Sequence, residues 1–379
     1  MKKLKIMSIF GTRPEAIKMA PVVKSLEKDD FIESITCVTA QHREMLDQVL
    51  TLFNIQPGYD LNIMKAGQTL SEITSRALMG LEKIIKEVKP HMVLVHGDTT
   101  TTFTGALAAF YQQVKVGHVE AGLRSHNMYS PYPEEMNRTL TGKLSHLHFA
   151  PTKGNKENLL KEGINEENII ITGNTVIDAL LQVVNKKYKF SDERLNCIDY
   201  SNKKVILMTA HRRENLGQPM VNIFSAIKEI VEKNENVEVV FPVHLNPKVR
   251  NLAYEILGNI DRINLIEPLD YEPFANLMAR AHLILTDSGG IQEEAPSLGK
   301  PVLVLRTETE RPEAVKAGTV KMAGIQKEKI FSLTNELIND EKAYNEMANA
   351  INPYGDGKAA ERIVESIKKY FIPAGNRYN

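Results

Sequence analysis

The sequence is poor in several features that mark specialised classes of protein. It has only two cysteines, Cys37 and Cys197, in unrelated contexts. A disulfide framework and a cysteine metal site are therefore not expected, and a reducing compartment fits best. Lys plus Arg number 47 and Asp plus Glu number 47, so the formal net charge is zero. This balance gives no electrostatic argument for nucleic acid or an anionic membrane as a partner, and any anion site must be built locally.

Long hydrophobic runs are also missing. No stretch of about 18 apolar residues occurs, so no membrane-spanning segment is expected. The basic first residues are followed by an apolar run, Ile6–Phe10, that is too short for the core of a signal peptide. We therefore expect a soluble cytoplasmic protein that binds neither a membrane nor nucleic acid.

The chain does contain a regular alternation of strand and helix patterns. At 379 residues it exceeds what one hydrophobic core usually supports, so two domains are expected. Short apolar runs from Leu4–Phe10 to Ile169–Thr172 alternate with amphipathic stretches, and the pattern restarts from Val205–Thr209 to Val302–Leu305. Such alternation predicts parallel sheets covered on both faces. We predict an α/β protein of two facing, doubly wound, Rossmann-like domains with a cleft between them.

The predicted domain boundary lies near a stretch of weak periodicity. Residues Asn185–Lys204 are polar and mixed in charge, so the boundary falls near Thr172–Asn174 or just after a helix over Val176–Val184. We predict an N-terminal domain over 1–173, a C-terminal domain over 174–357, and a C-terminal helical segment, 358–379, that joins the first domain.

Open α/β sheets bind ligands at the carboxyl ends of their strands, so functional residues are expected just after strands. Gly11–Glu15 follows the first strand, with Thr12 placed to cap the next helix. Arg13 at that helix N-terminus and Lys18 one turn further are suited to a diphosphate. A capped turn with a surface arginine explains the same spacing equally well.

Three carboxylates follow strands or open a helix in the first half: Asp98, Glu120 and Glu134. Individually, Asp98 has an ordinary explanation as a helix cap and Glu134 as a partner of the helix dipole. Together at one sheet edge they would raise each other's proton affinity, which suits acid–base chemistry near neutral pH. A divalent metal site ranks second, because no suitably spaced histidines accompany them and arginines intervene.

The second half has its own post-strand groups. His211 follows its first strand and is a candidate proton donor or phosphate contact, with a surface loop of paired Arg and Glu as the alternative. Ser288–Gly290 links a strand to a helix and predicts a cradle of backbone amides for an anion. Glu294, one turn along, is placed to accept ribose hydroxyls, and Arg311 adds a cation. No GxGxxG or P-loop spacing occurs, so a nicotinamide cofactor is not expected.

Taken together, these segments resemble the non-hydrolysing UDP-N-acetylglucosamine 2-epimerases, which have the two-domain GT-B architecture. The resemblance runs through almost the whole chain in the expected order: Phe10–Glu15, His96–Thr99, His118–Arg124, Ser130–Arg138, Thr209–Asn215, Asp287–Pro296 and Glu310–Ala314.

The resemblance implies roles for particular residues. The implied catalytic set is Asp98, Glu120, Glu134 and His211. The implied UDP-binding set is Arg13, Lys18, Ser288, Gly289, Gly290, Glu294 and Arg311. It also implies a homodimer, and a second UDP-N-acetylglucosamine bound as activator near Gln41, Arg43 and Glu44, although Gly67 stands where some relatives carry an arginine.

The implied reaction inverts C2 of UDP-N-acetylglucosamine to give UDP-N-acetylmannosamine without a metal or other cofactor. The C2 proton is not acidic, so the expected route expels UDP from C1 as a carboxylate removes that proton. The 2-acetamidoglucal intermediate then takes up UDP again. Glu120 and Glu134 are the first choices at C2, with Asp98 assisting and His211 near the leaving diphosphate. The implied use of the product is synthesis of cell-envelope polysaccharide.

Three other functions share parts of this pattern. A GT-B glycosyltransferase would use the same nucleotide site but pass the sugar to an acceptor. A hydrolysing epimerase would release UDP and free N-acetylmannosamine. A non-catalytic sugar-nucleotide sensor would need the nucleotide site but not the carboxylates.

Overall fold

A computed structural model of the protein describes residues 3–40, 43–65 and 67–371. The described residues form two compact units: unit 1 runs up to Ala179 and resumes at Tyr354, and unit 2 is Leu180–Pro353. Within these ranges, none of the helices is both long enough and apolar enough to cross a membrane.

Unit 1 is built on one parallel sheet. Its strands are β1 (Leu4–Phe10), β2 (Ile32–Val38), β3 (Tyr59–Asp60), β4 (Met92–His96), β5 (Lys115–Val119), β6 (Leu147–Ala150) and β7 (Ile169–Ile171). Its first helices are α1 (Arg13–Glu27), α2 (Arg43–Leu52), α3 (Leu70–Val88), α4 (Thr100–Tyr111), α5 (Glu134–Leu144), α6 (Lys153–Lys161) and α7 (Thr175–Val183). The strands lie in the order β3-β2-β1-β4-β5-β6-β7.

Unit 2 repeats this plan. Its strands are β8 (Lys204–Thr209), β9 (Val237–Pro242), β10 (Ile263–Ile266), β11 (Leu283–Thr286), β12 (Val302–Val304) and β13 (Val320–Met322). Its helices are α8 (Glu193–Cys197), α9 (Gln218–Lys233), α10 (Pro247–Leu257), α11 (Tyr271–Arg280), α12 (Gly289–Glu294), α13 (Pro312–Ala317), α14 (Lys327–Asn339) and α15 (Glu341–Ala348). The strand order is β10-β9-β8-β11-β12-β13, again parallel.

The central strands are buried because helices cover both faces of each sheet. All five residues of β4 are buried, and its Val93 and Val95 pack in one cluster with Leu81 and Ile85 of α3. In unit 2, β9 and α9 share a core that includes Phe241. Strands buried on both faces read as continuous apolar runs rather than as alternating ones, which is why the sequence predicted them.

Both sheets reverse their winding direction beside their first strand. In unit 1 the order turns between β1 and β4, and in unit 2 between β8 and β11. Crevices at such reversal points bind ligands at the carboxyl ends of the strands. The prediction of an α/β protein with two doubly wound, Rossmann-like sheets is therefore confirmed.

The last helix, α16 (Ala359–Phe371), belongs to unit 1. Its backbone N–H at Ala360 donates to the Asp178 carboxylate of α7 at 2.8 Å. Near its other end, Lys368 Nζ lies 2.7 Å from Asp29 Oδ2. Burial raises the pKa of Asp178, while the backbone hydrogen bonds act in the opposite direction. The division between the units falls inside α7, after Ala179.

Candidate active site

The loop after β1 is fixed by a buried carboxylate. Glu15 Oε2 accepts hydrogen bonds from the backbone N–H groups of Gly11 at 3.0 Å and Thr12 at 2.8 Å, which completes a capping box at the start of α1. The other oxygen of Glu15 accepts from the Thr99 hydroxyl at 2.6 Å. The loops after β1 and β4 are thereby joined, with the half-buried Arg13 at the helix N-terminus.

Glu120, the first residue after β5, is the centre of a charged cluster in unit 1. Its side chain is only 14% exposed, and Oε2 pairs with Nζ of Lys18 on α1. Nε2 of His96, the last residue of β4, lies 3.3 Å from the same oxygen. Burial acts to raise the pKa of Glu120, but the charge of Lys18 and the adjacent His96 outweigh it and hold this pKa well below its ordinary value.

This direction is opposite to the expectation that neighbouring acids would raise each other's proton affinity. The nearest charge to Glu120 is a lysine, which stabilises the carboxylate form. Lys18, predicted from the sequence to bind UDP, is therefore a direct partner of the predicted catalytic Glu120 in this structure.

The backbone just after β4 and β5 adopts an uncommon, left-handed conformation. Glu120 has φ +62°, and Gly97, which follows the neighbouring strand, has φ +68°. Positive φ is uncommon for residues other than glycine and is concentrated at functional sites. The parallel register pairs His96 with Val119, so the residues that follow both strands emerge side by side.

An ion pair and a hydrogen bond hold Asp98 against α5. Its carboxylate pairs with Nη2 of Arg138, and its carbonyl oxygen accepts from Asn137 Nδ2 at 3.0 Å. Nη1 of Arg138 lies 3.2 Å from Glu135 Oε2, and the Glu135 carboxylate accepts from the backbone N–H of Ser125 at 3.0 Å. The loops after β4 and β5 are thus both held against the first turns of α5.

Glu134 begins α5 and is half-buried. It lies four residues before Arg138, so both occur on one face of the helix. The structure therefore places all three predicted carboxylates, Asp98, Glu120 and Glu134, at one edge of unit 1. No group of three metal-ligating side chains with suitable geometry occurs within the described ranges.

In unit 2 the corresponding edge is organised by Asp287, which is fully buried after β11. Its Oδ2 accepts from the backbone N–H groups of His211 and Arg212, both at 2.8 Å, and from Asn215 Nδ2 at 3.1 Å. Its Oδ1 lies 3.1 Å from His211 Nδ1. Burial acts to raise the pKa of Asp287, but these interactions lower it below its ordinary value.

The His211 ring is thereby oriented from two sides. Nδ1 faces the Asp287 carboxylate, and the ring stacks on His244 with centroids 5.7 Å apart. The side chain remains 38% exposed, so a ligand can reach it. The carboxylate at Nδ1 fixes the orientation of an imidazole that a ligand can reach, as the predicted role of His211 as a proton donor or phosphate contact requires.

The predicted amide cradle lies at the start of α12. Ser288 is the N-cap residue, and Gly289 and Gly290 open the helix. A Cβ on Gly290 would meet no atom within 4 Å, and one on Gly289 would lie 3.8 Å from Arg311 Nη2. The two glycines leave the main chain uncovered, and the Arg311 guanidinium lies beside it.

Glu294 and Arg311 are both held by neighbouring groups. Glu294 ends α12, one turn after Gly290, and is almost buried. Burial, together with the charge of Glu294, raises the pKa of Tyr271 well above its ordinary value. Nε of Arg311 pairs with the buried carboxylate of Glu293. This ion pair was not foreseen, and it fixes the guanidinium at the start of the helix.

Of the predicted activator site, Gln41 lies outside the described residues. Arg43 opens α2 with Nε 2.9 Å from Asp47 Oδ2, and it also pairs with the Asp60 carboxylate. Glu44 is exposed in the first turn of the same helix.

Sequence reasoning missed three residues that organise these clusters: His96, Arg138 and Asp287. A signal for each was present. His96 ends a buried strand directly before Gly97, Arg138 lies one helical turn after Glu134, and Asp287 occupies the first position after β11.

Two doubly wound units with charged clusters at the carboxyl ends of their strands define the GT-B class of nucleotide-binding proteins. Comparison with known proteins narrows the class. The family model described as UDP-N-acetylglucosamine 2-epimerase matches residues 24–368. A UDP-N-acetylglucosamine 2-epimerase of Bacillus subtilis is 59% identical over 367 residues, covering 97% of this chain and 96% of the relative.

Solved structures agree with this result. A crystal structure of a UDP-N-acetylglucosamine 2-epimerase is 56% identical, with a TM-score of 0.92 over 100% of this chain and 98% of the other. A Neisseria meningitidis UDP-GlcNAc 2-epimerase, solved bound to UDP-GlcNAc, is 54% identical, with a TM-score of 0.84 over 97% of this chain and all of the other. The chain belongs to the UDP-N-acetylglucosamine 2-epimerase family and is an enzyme, so the resemblance seen in the sequence is confirmed.

Proposed function

We propose that this enzyme reversibly inverts C2 of UDP-N-acetylglucosamine to give UDP-N-acetylmannosamine by elimination and re-addition of UDP. The observation that carries the proposal is Glu120, a nearly buried, ionised carboxylate on a left-handed backbone at the sheet edge of unit 1. Family membership supplies the substrate, because a relative 54% identical was solved with UDP-GlcNAc bound.

The proposed reaction balances without an added oxidant or reductant. A carboxylate takes the C2 proton, and the C–H electron pair forms a C1–C2 double bond. The C1–O bond breaks at the same stage, and UDP leaves with that electron pair. Return of a proton to the opposite face of C2 and addition of UDP to C1 give the manno epimer.

We assign the proton transfers at C2 to Glu120 and Glu134. Both lie at the edge where β5 and α5 meet the loops. Asp98 assists through Arg138, which binds Asp98 and lies on the helix face of Glu134. Inversion needs one proton-transfer group on each face of C2, and these two carboxylates would supply them.

UDP is assigned mainly to unit 2. Phosphate oxygens are assigned to Ser288, Gly289 and Gly290, where a Cβ on Gly290 would meet no atom within 4 Å, although the Ser288 N–H donates to the Thr286 hydroxyl at 2.9 Å. Arg311 supplies charge beside them, Glu294 accepts ribose hydroxyls, and His211, oriented by Asp287, acts near the leaving diphosphate. In unit 1 we propose Arg13 and Lys18 as further UDP-binding residues.

Incubation with UDP-N-acetylglucosamine in heavy water tests this function. The proposal predicts UDP-N-acetylmannosamine as product, with deuterium at C2 of both epimers and no net release of UDP. Stoichiometric UDP and free N-acetylmannosamine would indicate the hydrolysing reaction instead. Sugar transferred to an added acceptor without exchange at C2 would overturn the proposal in favour of a glycosyltransferase, and binding without turnover would indicate a sensor.

We also propose a homodimer. Large apolar side chains are exposed on three helices that pack side by side in unit 1: Met79 on α3, Phe110 and Tyr111 on α4, and Leu140 on α5. Exposed fractions of 53% for Phe110 and 59% for Tyr111 are high for aromatic side chains and mark an interaction surface. Light scattering should give twice the mass of the 42.6 kDa chain. Phe110→Glu should give the monomer mass, and a wild-type monomer would refute the dimer.

A second UDP-N-acetylglucosamine bound near Gln41, Arg43 and Glu44 is our proposal for activation. Arg43 places a cation at the start of α2, where it pairs with Asp47 and Asp60. Initial rates should rise sigmoidally with substrate, and Arg43→Ala should weaken that response. A hyperbolic curve for the wild type would contradict activation by substrate.

We further propose that the product supplies synthesis of cell-envelope polysaccharide and that the enzyme acts in the cytoplasm. Cys37 and Cys197 are both free thiols, which suits a reducing compartment. Deletion of the coding sequence should remove N-acetylmannosamine from envelope glycans, and unchanged glycans would refute the assignment.

A further inference from the structure

His96 is the one buried histidine in direct contact with a predicted catalytic carboxylate among the described residues. Its side chain is 4% exposed, and Nε2 lies 3.3 Å from Glu120 Oε2. In the described parts of the chain, neither ring nitrogen has a well-aligned hydrogen-bond partner, although both are buried. A buried imidazole whose nitrogens lack well-aligned hydrogen bonds is costly, and such groups are kept where chemistry uses them.

The position of His96 is set by the backbone. It ends β4, its carbonyl oxygen accepts the Thr102 hydroxyl, and the strand register places it beside Val119, one residue before Glu120. The ring is therefore fixed next to the carboxylate. Around the pair, Lys18 on α1 binds Glu120 and His118 on β5 interacts with His96, while Glu15 on α1 contacts the Thr102 hydroxyl.

Lys18 creates a chemical problem for Glu120. A carboxylate paired with a lysine is a weak base, because protonation would cost the ion pair. Imidazole is the side chain that exchanges protons most readily near neutral pH. A neutral imidazole at Glu120 can accept the proton onward and restore the ion pair.

We propose that His96 is a positioning residue that orients Glu120 and receives from it the proton removed from C2 of the sugar. The proposal rests on the proposed function. The C2–H electron pair enters the C1–C2 double bond as UDP departs, and the proton moves to Glu120 Oε2. It then moves to the lone pair of His96 Nε2, leaving imidazolium beside carboxylate. The proton returns by the same path in the reverse reaction.

The variant His96→Asn removes the titrating ring and keeps a polar side chain. We expect kcat to fall about 100-fold with KM changed less than about threefold. The acid limb of the kcat/KM profile should move to lower pH, because the carboxylate beside Lys18 then titrates without the imidazole. If His96 only stabilised the charged carboxylate, its loss would move that limb to higher pH. An acid limb of the His96→Asn profile that stays in place or moves to higher pH overturns the proposal.

His148→Asn is the matched control. His148 is also a buried histidine, on β6, with one ring nitrogen lacking a partner. Burial lowers its pKa to about 4, and within the described residues it forms no ion pair or hydrogen bond with Glu120. This variant should show the cost of losing a buried ring while keeping the wild-type pH profile.

A measurement without substrate keeps the inference separate from the proposed reaction. In protein with ¹³C-labelled histidine rings, Glu120→Gln should change the ring chemical shifts of His96 at neutral pH and leave those of His148 unchanged. Unchanged His96 chemical shifts overturn the inference even if the enzyme is an epimerase. If the His96→Asn variant does not fold, the kinetic measurements are made on His96→Gln. A wild-type chain that makes no epimer while His96 still responds to Glu120→Gln would refute the reaction but not the pairing.

Discussion

Replacement of Asp287 is the change whose effects can be worked out most fully from the structure. Its fully buried carboxylate accepts two backbone N–H groups, from His211 and Arg212, and the side-chain amide of Asn215. It also faces His211 Nδ1 at 3.1 Å. The residue therefore has two separable tasks, which are to fold the loop after β8 and to fix the charge and orientation of the imidazole.

Two substitutions separate these tasks. Asp287→Ala leaves two backbone N–H groups without an acceptor and removes one of the two acceptors of Asn215 Nδ2, which we expect to lower the free energy of unfolding of unit 2 by about 3–5 kcal/mol. Asp287→Asn keeps one acceptor oxygen for the loop, so the loss should be about 1–2 kcal/mol. Its neutral amide cannot stabilise imidazolium, and we expect kcat to fall about 100-fold or more with little change in KM.

The stability contribution of Asp287 also depends on pH. Its pKa is lowered in the folded state, so the charged form stabilises the fold above the ordinary pKa of an aspartate. That contribution is lost as pH falls through the lowered value. Urea unfolding at neutral pH and at about pH 3 measures the stability that each variant loses and how that loss depends on pH. Steady-state epimerisation measures kcat. Full activity in a well-folded Asp287→Asn enzyme would refute the role assigned to the Asp287–His211 pair.

Three further changes test other parts of the site. Lys18→Met should raise the pKa of Glu120 and move the acid limb of the kcat/KM profile to higher pH. An acid limb that does not move would contradict the ion pair with Lys18 as the cause of the lowered Glu120 pKa. Gly11→Ala should destabilise unit 1 by about 1–3 kcal/mol, because its Cβ would lie 2.0 Å from a threonine hydroxyl oxygen. Gly58→Ala, with 3.8 Å to the nearest atom, is its matched control in urea unfolding, and equal losses would refute the steric argument. Gly290→Ala should fold normally and bind UDP about tenfold more weakly by calorimetry, since its methyl group covers the amide cradle; unchanged affinity would place the phosphates elsewhere.

Most of the fold could be predicted from the sequence because buried parallel strands are continuous apolar runs. The predicted strand Leu4–Phe10 matches β1 residue for residue, and the predicted strands Val205–Thr209 and Val302–Leu305 each differ from the observed strand by one residue. The two strands that were missed, β3 and β13, contain two and three residues, and β13 carries the polar Lys321. Such short edge strands are defined by pairing with a neighbour rather than by their own pattern.

The sequence predicted where the candidate site lies, but not which of its charged side chains form ion pairs with one another. Parallel topology alone puts post-strand residues at one edge, which is why Asp98 and Glu120 could be grouped. The partner of Glu120 is Lys18, 102 positions away, and no periodicity reveals that ion pair. The expected pKa direction of Glu120 was wrong for that reason. Arg311 likewise pairs with Glu293, which only the packing of α12 shows.

The central claim is that UDP leaves C1 and returns, and an oxygen label tests it most directly. UDP-N-acetylglucosamine carrying ¹⁸O in the bridge between C1 and the β-phosphorus is incubated with the enzyme and followed by ³¹P NMR. If UDP leaves and returns, the label moves from the bridge into the non-bridging oxygens of the β-phosphate as the epimers equilibrate. Complete C2 epimerisation with the label still confined to the bridge would contradict it.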